Sequence, residues 1–252
     1  MTSTFKDNFS TQAADYAKFR PHYPKALFRY LTDLCQHRQK AWDCATGNGQ
    51  CAVALAEFFD QVIATDASQK QLENAKLHSR VQYCLAPAVE SGLDADSVDL
   101  ITVAQALHWF RIDDFWNEVR RTLHSGSVIA VWCYAFLEVA PTIDALLNRF
   151  YSEIVGPYWD FERKLVEDGY SSISFPFAEI ETPPFAIETS WSLSHLLGYL
   201  RSWSATQKFM AVNGRDPTEL IAAQLAAAWG DRSQMRPVKW PLSVRVGRYA
   251  TE

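Results

Sequence analysis

The chain has 252 residues, 48% of them hydrophobic and 13% aromatic, which is enough for one large core. Its formal net charge is −5 and no Lys/Arg block is denser than Arg120-Arg121, a surface ill-suited to a phosphate backbone, so no nucleic-acid partner is expected. Five Cys without CxxC spacing point to neither a zinc site nor a disulfide framework, and no apolar signal core or bilayer-length run occurs; a cytoplasmic protein with no metal and no membrane partner is expected.

Residues 1–24 end in Arg20-Pro21-His22-Tyr23-Pro24, whose two prolines favour extended backbone. Leu27, Phe28, Leu31 and Leu34 recur at helical spacing over 26–35 and lead into Ala41-Trp42-Asp43-Cys44, the first expected strand. A helix over 51–59 and a strand over 61–66 follow. Ser68 then caps a helix expected to run to His78, with Gln71 at the capping-box position. Strands are expected over 81–85, 98–104 and 127–133, with a helix over 113–123. This alternation predicts an α/β fold, a Rossmann-like doubly wound sheet that is mostly parallel. Beyond Tyr134 the rhythm breaks. Helices are expected over 141–154, 193–203 and 218–229, and the β-like stretches 185–191 and 242–249 are expected to return as an antiparallel edge pair. The organisation read from this pattern is a single domain over 1–252. It comprises a lid segment (1–24), a cofactor-binding core (25–133), a helical and aromatic acceptor-side cap with a returning strand (134–235) and a C-terminal sheet strand (236–252).

The stretch Asp43-Cys44-Ala45-Thr46-Gly47-Asn48-Gly49-Gln50 joins the first strand to a helix. A helix N-terminus offers unpaired amides, and small residues before it let a ligand lie against the main chain. Asp66 ends the second strand some twenty residues on, where an acidic group can accept hydrogen bonds from both ribose hydroxyls. The pair predicts a nucleotide-like ligand. A dinucleotide fingerprint would put its third glycine on Ala52, and the Lys-Ser/Thr of a phosphate-gripping loop is absent.

Asp43 followed by A-x-G-x-G resembles the first motif of class I S-adenosylmethionine-dependent methyltransferases, whose usual form is D-x-G-x-G-x-G. Ala45 replaces the first glycine, at little cost if its φ is negative. Ala86-Pro87-Ala88-Val89 is similar to the A-P-A-E of relatives, with Val89 in the acidic place. Ala104-Gln105-Ala106-Leu107-His108-Trp109-Phe110 closely resembles the AQAxHWF signature of a type-11-like subgroup that includes trans-aconitate methyltransferase relatives. The segments Tyr16–Pro24 and Ser202–Gln207 extend the likeness over nearly the whole chain.

The resemblance implies S-adenosylmethionine as methyl donor and S-adenosylhomocysteine as product. It implies a cofactor loop of Asp43, Ala45, Thr46, Gly47, Gly49 and Gln50, with Asp66 on the ribose. Ala67, Ala88 and Val89 would flank adenine, and Gln105 and Ala106 would lie under the sulfonium. His108 is the titratable group best placed to act as a base, its other readings being packing beside Trp109 or a hydrogen-bonding wall. Tyr16, Arg20, Trp109, Tyr134 and Trp203 are the expected substrate and lid residues, though aromatics at helical spacing more often form core. The expected function is O-methylation of a carboxylate or hydroxyl on a small molecule, by a monomer or homodimer. The alternatives are an inactive donor-binding regulatory protein and a nicotinamide-dependent oxidoreductase. Thr182-Pro183-Pro184-Phe185 resembles an amino-methyltransferase motif but falls far from the fourth strand and is read as a turn.

Overall fold

Apolar runs without polar alternation suit strands that are covered on both faces, and that is how the first part of the chain folds. The computed structural model describes residues 21–250, so Tyr16 and Arg20 lie outside the described residues. Strands β1 (Lys40–Cys44), β2 (Gln61–Asp66), β3 (Val81–Leu85), β4 (Val98–Ala104) and β5 (Leu123–Cys133) pair in parallel. The short β6 (Ala178–Ile180), β7 (Phe185–Trp191) and the long β8 (Arg236–Arg248) complete the set. The spatial order is β3-β2-β1-β4-β5-β8-β6, with β7 paired to β8 outside that path. Strand order therefore reverses beside β1, and the loops leaving β1 and β4 diverge there, which opens a crevice at the carboxyl ends of the strands.

Side chains alternate faces along a strand, and each face here meets its own helices. Ala41, Leu100, Val128, Ala130 and Trp132 pack with α1 (Lys25–Asp33) and α2 (Gln50–Leu55) through Leu27, Leu31 and Leu55. Trp42, Ile101, Val103, Ile129 and Val131 pack on the other side with Phe115, Trp116 and Val119 of α4 (Ile112–Thr122). Between them in sequence, α3 (Gln69–Glu73) is capped by Ser68 but stops five residues before His78. The physical reason is at hand: the Lys76 amide donates to the Asn48 carbonyl at 3.1 Å, drawing this stretch onto the glycine-bearing loop.

A third cluster lies beyond β5. It joins α5 (Pro141–Arg149), α7 (Leu193–Arg201) and α9 (Glu219–Trp229) to β7 and to Val238 and Trp240 of β8. The helix expected over 141–154 changes to a π turn at Phe150–Ile154, and two helices not anticipated, α6 (Arg163–Glu167) and α8 (Ser204–Asn213), complete this part. The antiparallel return is made by β8 in two halves. Its first half, Arg236 to Leu242, pairs with β7; Ser243 to Arg248 pair with β5, and three of these residues also pair with β6. One strand thus belongs to both the sheet and the cap.

Candidate active site

The loop after β1 runs through left-handed backbone three times, at Ala45 (φ +54°), Gly47 (+57°) and Gly49 (+80°). The negative φ on which a cheap Ala45 depended is not found. Its Cβ crowds the following carbonyl, at a cost of about 1 kcal/mol. Gly49 has two reasons to be glycine: its φ, and the Tyr83 hydroxyl, which would stand 2.1 Å from a Cβ there. Tyr83 is held in place by donating to the Lys76 carbonyl at 2.6 Å. In front of Gly47 the space is open, since a Cβ would meet nothing nearer than Gln71 Oε1 at 3.9 Å.

Two carboxyl groups shape this loop. Asp43 is 1% exposed and accepts from the Thr102 hydroxyl at 2.8 Å, from the Thr46 hydroxyl and from the Ala52 amide. Burial pushes its pKa up to about 6, against the opposing pull of these hydrogen bonds. Its contacts are with the protein, tying β1 to β4, to the loop and to the start of α2. Asp66 accepts from the Gly47 amide on one oxygen and the Ser68 amide on the other, both at 2.8 Å, and so clasps the ends of β1 and β2 together. Gln50 turns elsewhere: its amide group receives the Tyr23 N–H and donates to the Pro21 carbonyl, both at 3.2 Å.

Along the same edge, Ala67 is exposed after β2, while Ala88 and Val89 are half-buried against the α4-side core. Gln105, at the end of β4, is also left-handed (φ +57°). Its side chain spans to β5's exit, donating to the Tyr134 carbonyl at 3.0 Å and accepting its N–H at 3.2 Å. Ala106 is buried beside it.

A cleft opens next to this point. It brings together Gln105, His108, Trp109, Tyr134 and Trp203, all marked from the sequence, with Trp159, Asp160, Arg163 and Tyr199. Arg163 was not marked, and no motif announces it, because it sits on a five-residue helix of the irregular part of the chain. Its guanidinium donates to the Tyr151 hydroxyl (2.8 Å) and the Ala135 carbonyl (2.9 Å) and lies 4.9 Å from the Trp159 ring centre. Asp160, by contrast, is paired with Lys208 at 2.6 Å. His108 packs at a tilt against Trp109, and its Nδ1 is 2.9 Å from the Tyr170 hydroxyl. Burial, reinforced by the Arg163 charge and opposed by Asp160, lowers its pKa to about 3, so the ring is neutral near pH 7.

Other constellations are structural. Ser127, His124 and Asp99 form a hydrogen-bonded string, but Ser127 is buried and Asp99 also accepts the Gln39 and Lys40 amides, which fastens the opposite end of the sheet. Thr182-Pro183-Pro184 is the connection into β7. Among the described residues no cluster of three or more His, Cys, Asp or Glu could hold a metal, and no helix is long and apolar enough to cross a membrane.

Residues 42–148 match the family model of a methyltransferase domain. A Dictyostelium discoideum protein classed as a methyltransferase is 33% identical over 94% of this chain and 93% of its own length. A Saccharomyces cerevisiae protein classed as an S-adenosylmethionine-dependent methyltransferase is 26% identical over 68% of this chain and 60% of its own. Among solved structures, one from Anaeromyxobacter dehalogenans described as a type II methyltransferase superposes with a TM-score of 0.88 at 43% identity, covering 93% of this chain and all of that one.

Two predictions follow from the loop. Ala45→Gly should raise unfolding free energy by about 1 kcal/mol in urea titration, because glycine adopts the left-handed backbone without strain; a loss of stability would contradict the conformation. Asp43 keeps its proton to higher pH when folded than when unfolded. Its contribution to stability therefore falls as pH rises from its ordinary 3.8 to about 6, then levels off. Asp43→Asn should flatten that fall, which is on the order of 2–3 kcal/mol. Parallel stability curves for the two proteins would refute the shift.

Proposed function

The chain belongs to the type 11 kind of class I S-adenosylmethionine-dependent methyltransferases, and on that premise we propose that it methylates an oxygen of a small acceptor held in the aromatic cleft, a carboxylate first and a hydroxyl second. The observation that carries this reading is Arg163. It lines the cleft and, among the described residues, makes no ion pair, whereas the nearby Asp160 is neutralised by Lys208. A guanidinium has five N–H donors in a planar fork suited to a carboxylate, and two carbonyl or hydroxyl contacts leave several of them available.

The residues present fit the methyl donor. The loop from Ala45 to Asn48 is half-exposed, the space before Gly47 is open, and Asp66 is oriented by two amides at the strand ends. We assign the Gly47 side of the loop, with Thr46 and Gly49, to the methionyl part and Asp66 to the ribose hydroxyls. Ala67, Ala88 and Val89 are assigned to the adenine, and Gln105 with Ala106 to the floor beneath the sulfur. Asp43, enclosed by protein, and Gln50, turned to the chain before α1, act through the backbone they hold. When bound, the donor supplies an electrophilic methyl group on a sulfonium that leaves as a neutral thioether.

The chain's part is to align and to exclude water. Gln105 locks the exits of β4 and β5 together, so the donor floor and the cleft wall at Tyr134 move as one unit. Trp109, Trp159, Tyr199 and Trp203 wall the cleft with apolar surface, which strengthens the attraction of a desolvated anion for Arg163. Alignment of the acceptor oxygen with the methyl carbon then supplies much of the rate. A carboxylate needs no proton removed before it attacks. The acidic surface supports a small molecule over nucleic acid as acceptor.

The test is incubation with radiolabelled donor and a panel of aryl and aliphatic carboxylic acids. Product label should be released as methanol by alkali, as a methyl ester requires; alkali-stable label alone would exclude the carboxylate. Arg163→Met should raise the acceptor KM by about tenfold or more with little change in kcat, through loss of one charged contact. Asp66→Ala should weaken S-adenosylhomocysteine binding by roughly 1–3 kcal/mol in calorimetry, and unchanged affinity would remove the ribose assignment.

A further inference from the structure

Tyr170 lies 62 residues beyond His108 in sequence and is fully buried, yet its hydroxyl is the partner of the imidazole. The backbone at Tyr170 is left-handed (φ +63°), a conformation rare for a bulky residue and kept only where the surroundings impose it. The surroundings are visible. Its N–H donates to the Leu165 carbonyl at 2.8 Å, and its carbonyl accepts from Arg245 of β8 at 2.8 Å. Gly169 before it is left-handed too and could bear no Cβ, which would stand 2.6 Å from Ser243 Oγ. The ring is thus aimed from the turn after α6 at the short turn Leu107–Trp109.

The first amides of that turn have no partner within it, as at any helix start. Those of Leu107 and His108 lie beside the Tyr170 oxygen and favour negative charge on it. The Tyr170 hydroxyl is fully buried and Nδ1 of His108, at 2.9 Å, is its hydrogen-bond partner among the described residues, so a phenol proton not given there would be left unpaired. A neutral imidazole that accepts at Nδ1 carries its proton on Nε2.

We propose that Tyr170 is a positioning residue that fixes His108 as the neutral Nε2–H tautomer, so that the cleft presents its acceptor with a rigid hydrogen-bond donor and no histidine base. The proposal rests on the cleft being the acceptor site. The groups facing this pair are consistent with it. Arg163 of α6 repels an imidazolium, Asp160 favours one but is held by Lys208, and burial keeps both the Tyr170 phenol and the neighbouring Cys133 thiol of β5 protonated. Trp109 packs at a tilt against the imidazole from its own turn, with ring centres 4.6 Å apart.

The consequence concerns which acceptors react. The acceptor oxygen forms the new O–C bond with a lone pair it already exposes, the C–S bond breaks with its electron pair passing to sulfur, and no proton is transferred at His108. Acceptors are therefore oxygen acids already ionised at the working pH. They are gripped by Arg163 and by Nε2–H of His108, and aliphatic alcohols are excluded because nothing at His108 deprotonates them.

The decisive measurement is nitrogen NMR of the full chain with labelled histidine. The chain contains six His, and the His108 signals are those missing from His108→Gln. We expect unprotonated Nδ1 and protonated Nε2 throughout about pH 5 to 8, the range in which an ordinary histidine titrates. A wild-type His108 that takes up a second proton in that range, or that carries its proton on Nδ1, overturns the proposal. In Tyr170→Phe, which keeps the ring, the remaining histidine signals report folding while His108 should become a mixture of tautomers; an unchanged tautomer removes the positioning role. With a carboxylate acceptor, kcat/KM should fall about tenfold in Tyr170→Phe. His108→Gln, whose amide N–H can replace Nε2–H, should retain more activity than His108→Leu, and equal loss in both overturns the donor role. The spectra need no turnover, so they stand even if the methyl-transfer reading fails.

Discussion

The burial of one carboxyl group shapes the edge of the sheet at the carboxyl ends of its parallel strands. Asp43 has been taken out of water at the end of β1, and two threonine hydroxyls and the Ala52 amide satisfy it there. A buried polar group left unpaired is expensive, so each of these partners is constrained in turn. Thr102 fixes β4 against β1, Thr46 fixes the loop, and Ala52 fixes the start of α2. The left-handed residues Ala45, Gly47 and Gly49 are the conformations by which a short loop meets all three demands. Asp66 then completes the construction from β2 by receiving the Gly47 and Ser68 amides. Both acids are buried fastenings: Asp43 ties β1 to β4 and the loop, and Asp66 ties the loop to the end of β2.

The cap is built on a different principle. Its core is aromatic, with Tyr134, Trp191, Tyr199, Trp203 and Trp240 meeting largely edge to face, the arrangement that ring quadrupoles favour. Such walls are stiff and apolar, so the few polar groups admitted among them count heavily. Arg163 is anchored by a carbonyl, a hydroxyl and two aromatic rings, and His108 by a phenol. The strand β8 unites the two parts, because it pairs with β7 in the cap and with β5 in the sheet, while its Arg245 secures the backbone of Tyr170. The glycine-bearing loop and the aromatic cleft are thereby mounted on one continuous set of hydrogen bonds.

Much of the sheet was legible in advance. The runs Gln61–Asp66 and Val98–Ala104 have the bounds read from their apolar pattern, since a covered parallel strand leaves an unbroken signal in the chain, and the half-exposed edge strand Val81–Leu85 also keeps its expected bounds. The helix after Ser68 is shorter than expected because Lys76 is bonded to Asn48, a partner that local propensity does not register. The three residues of β6 are too few to show a period, and the π turn after α5 reads locally as more helix. Ala45 is instructive: its cost turns on the sign of φ, which an alanine in the sequence does not fix and the folded loop makes positive.

What the sequence by itself determined is the parallel core, the glycine-bearing loop with its two acids, and membership in a methyl-transferring family. These are properties of contiguous segments, written in spacing and in motifs. Only the tertiary structure decided that Asp43 faces inward, that Gln50 turns to the chain before α1, and that Arg163 and Tyr170 meet His108 across more than fifty residues of sequence. Such pairings arise when separate segments fold against one another. Burial and hydrogen bonding across those distances leave no periodic trace along the chain.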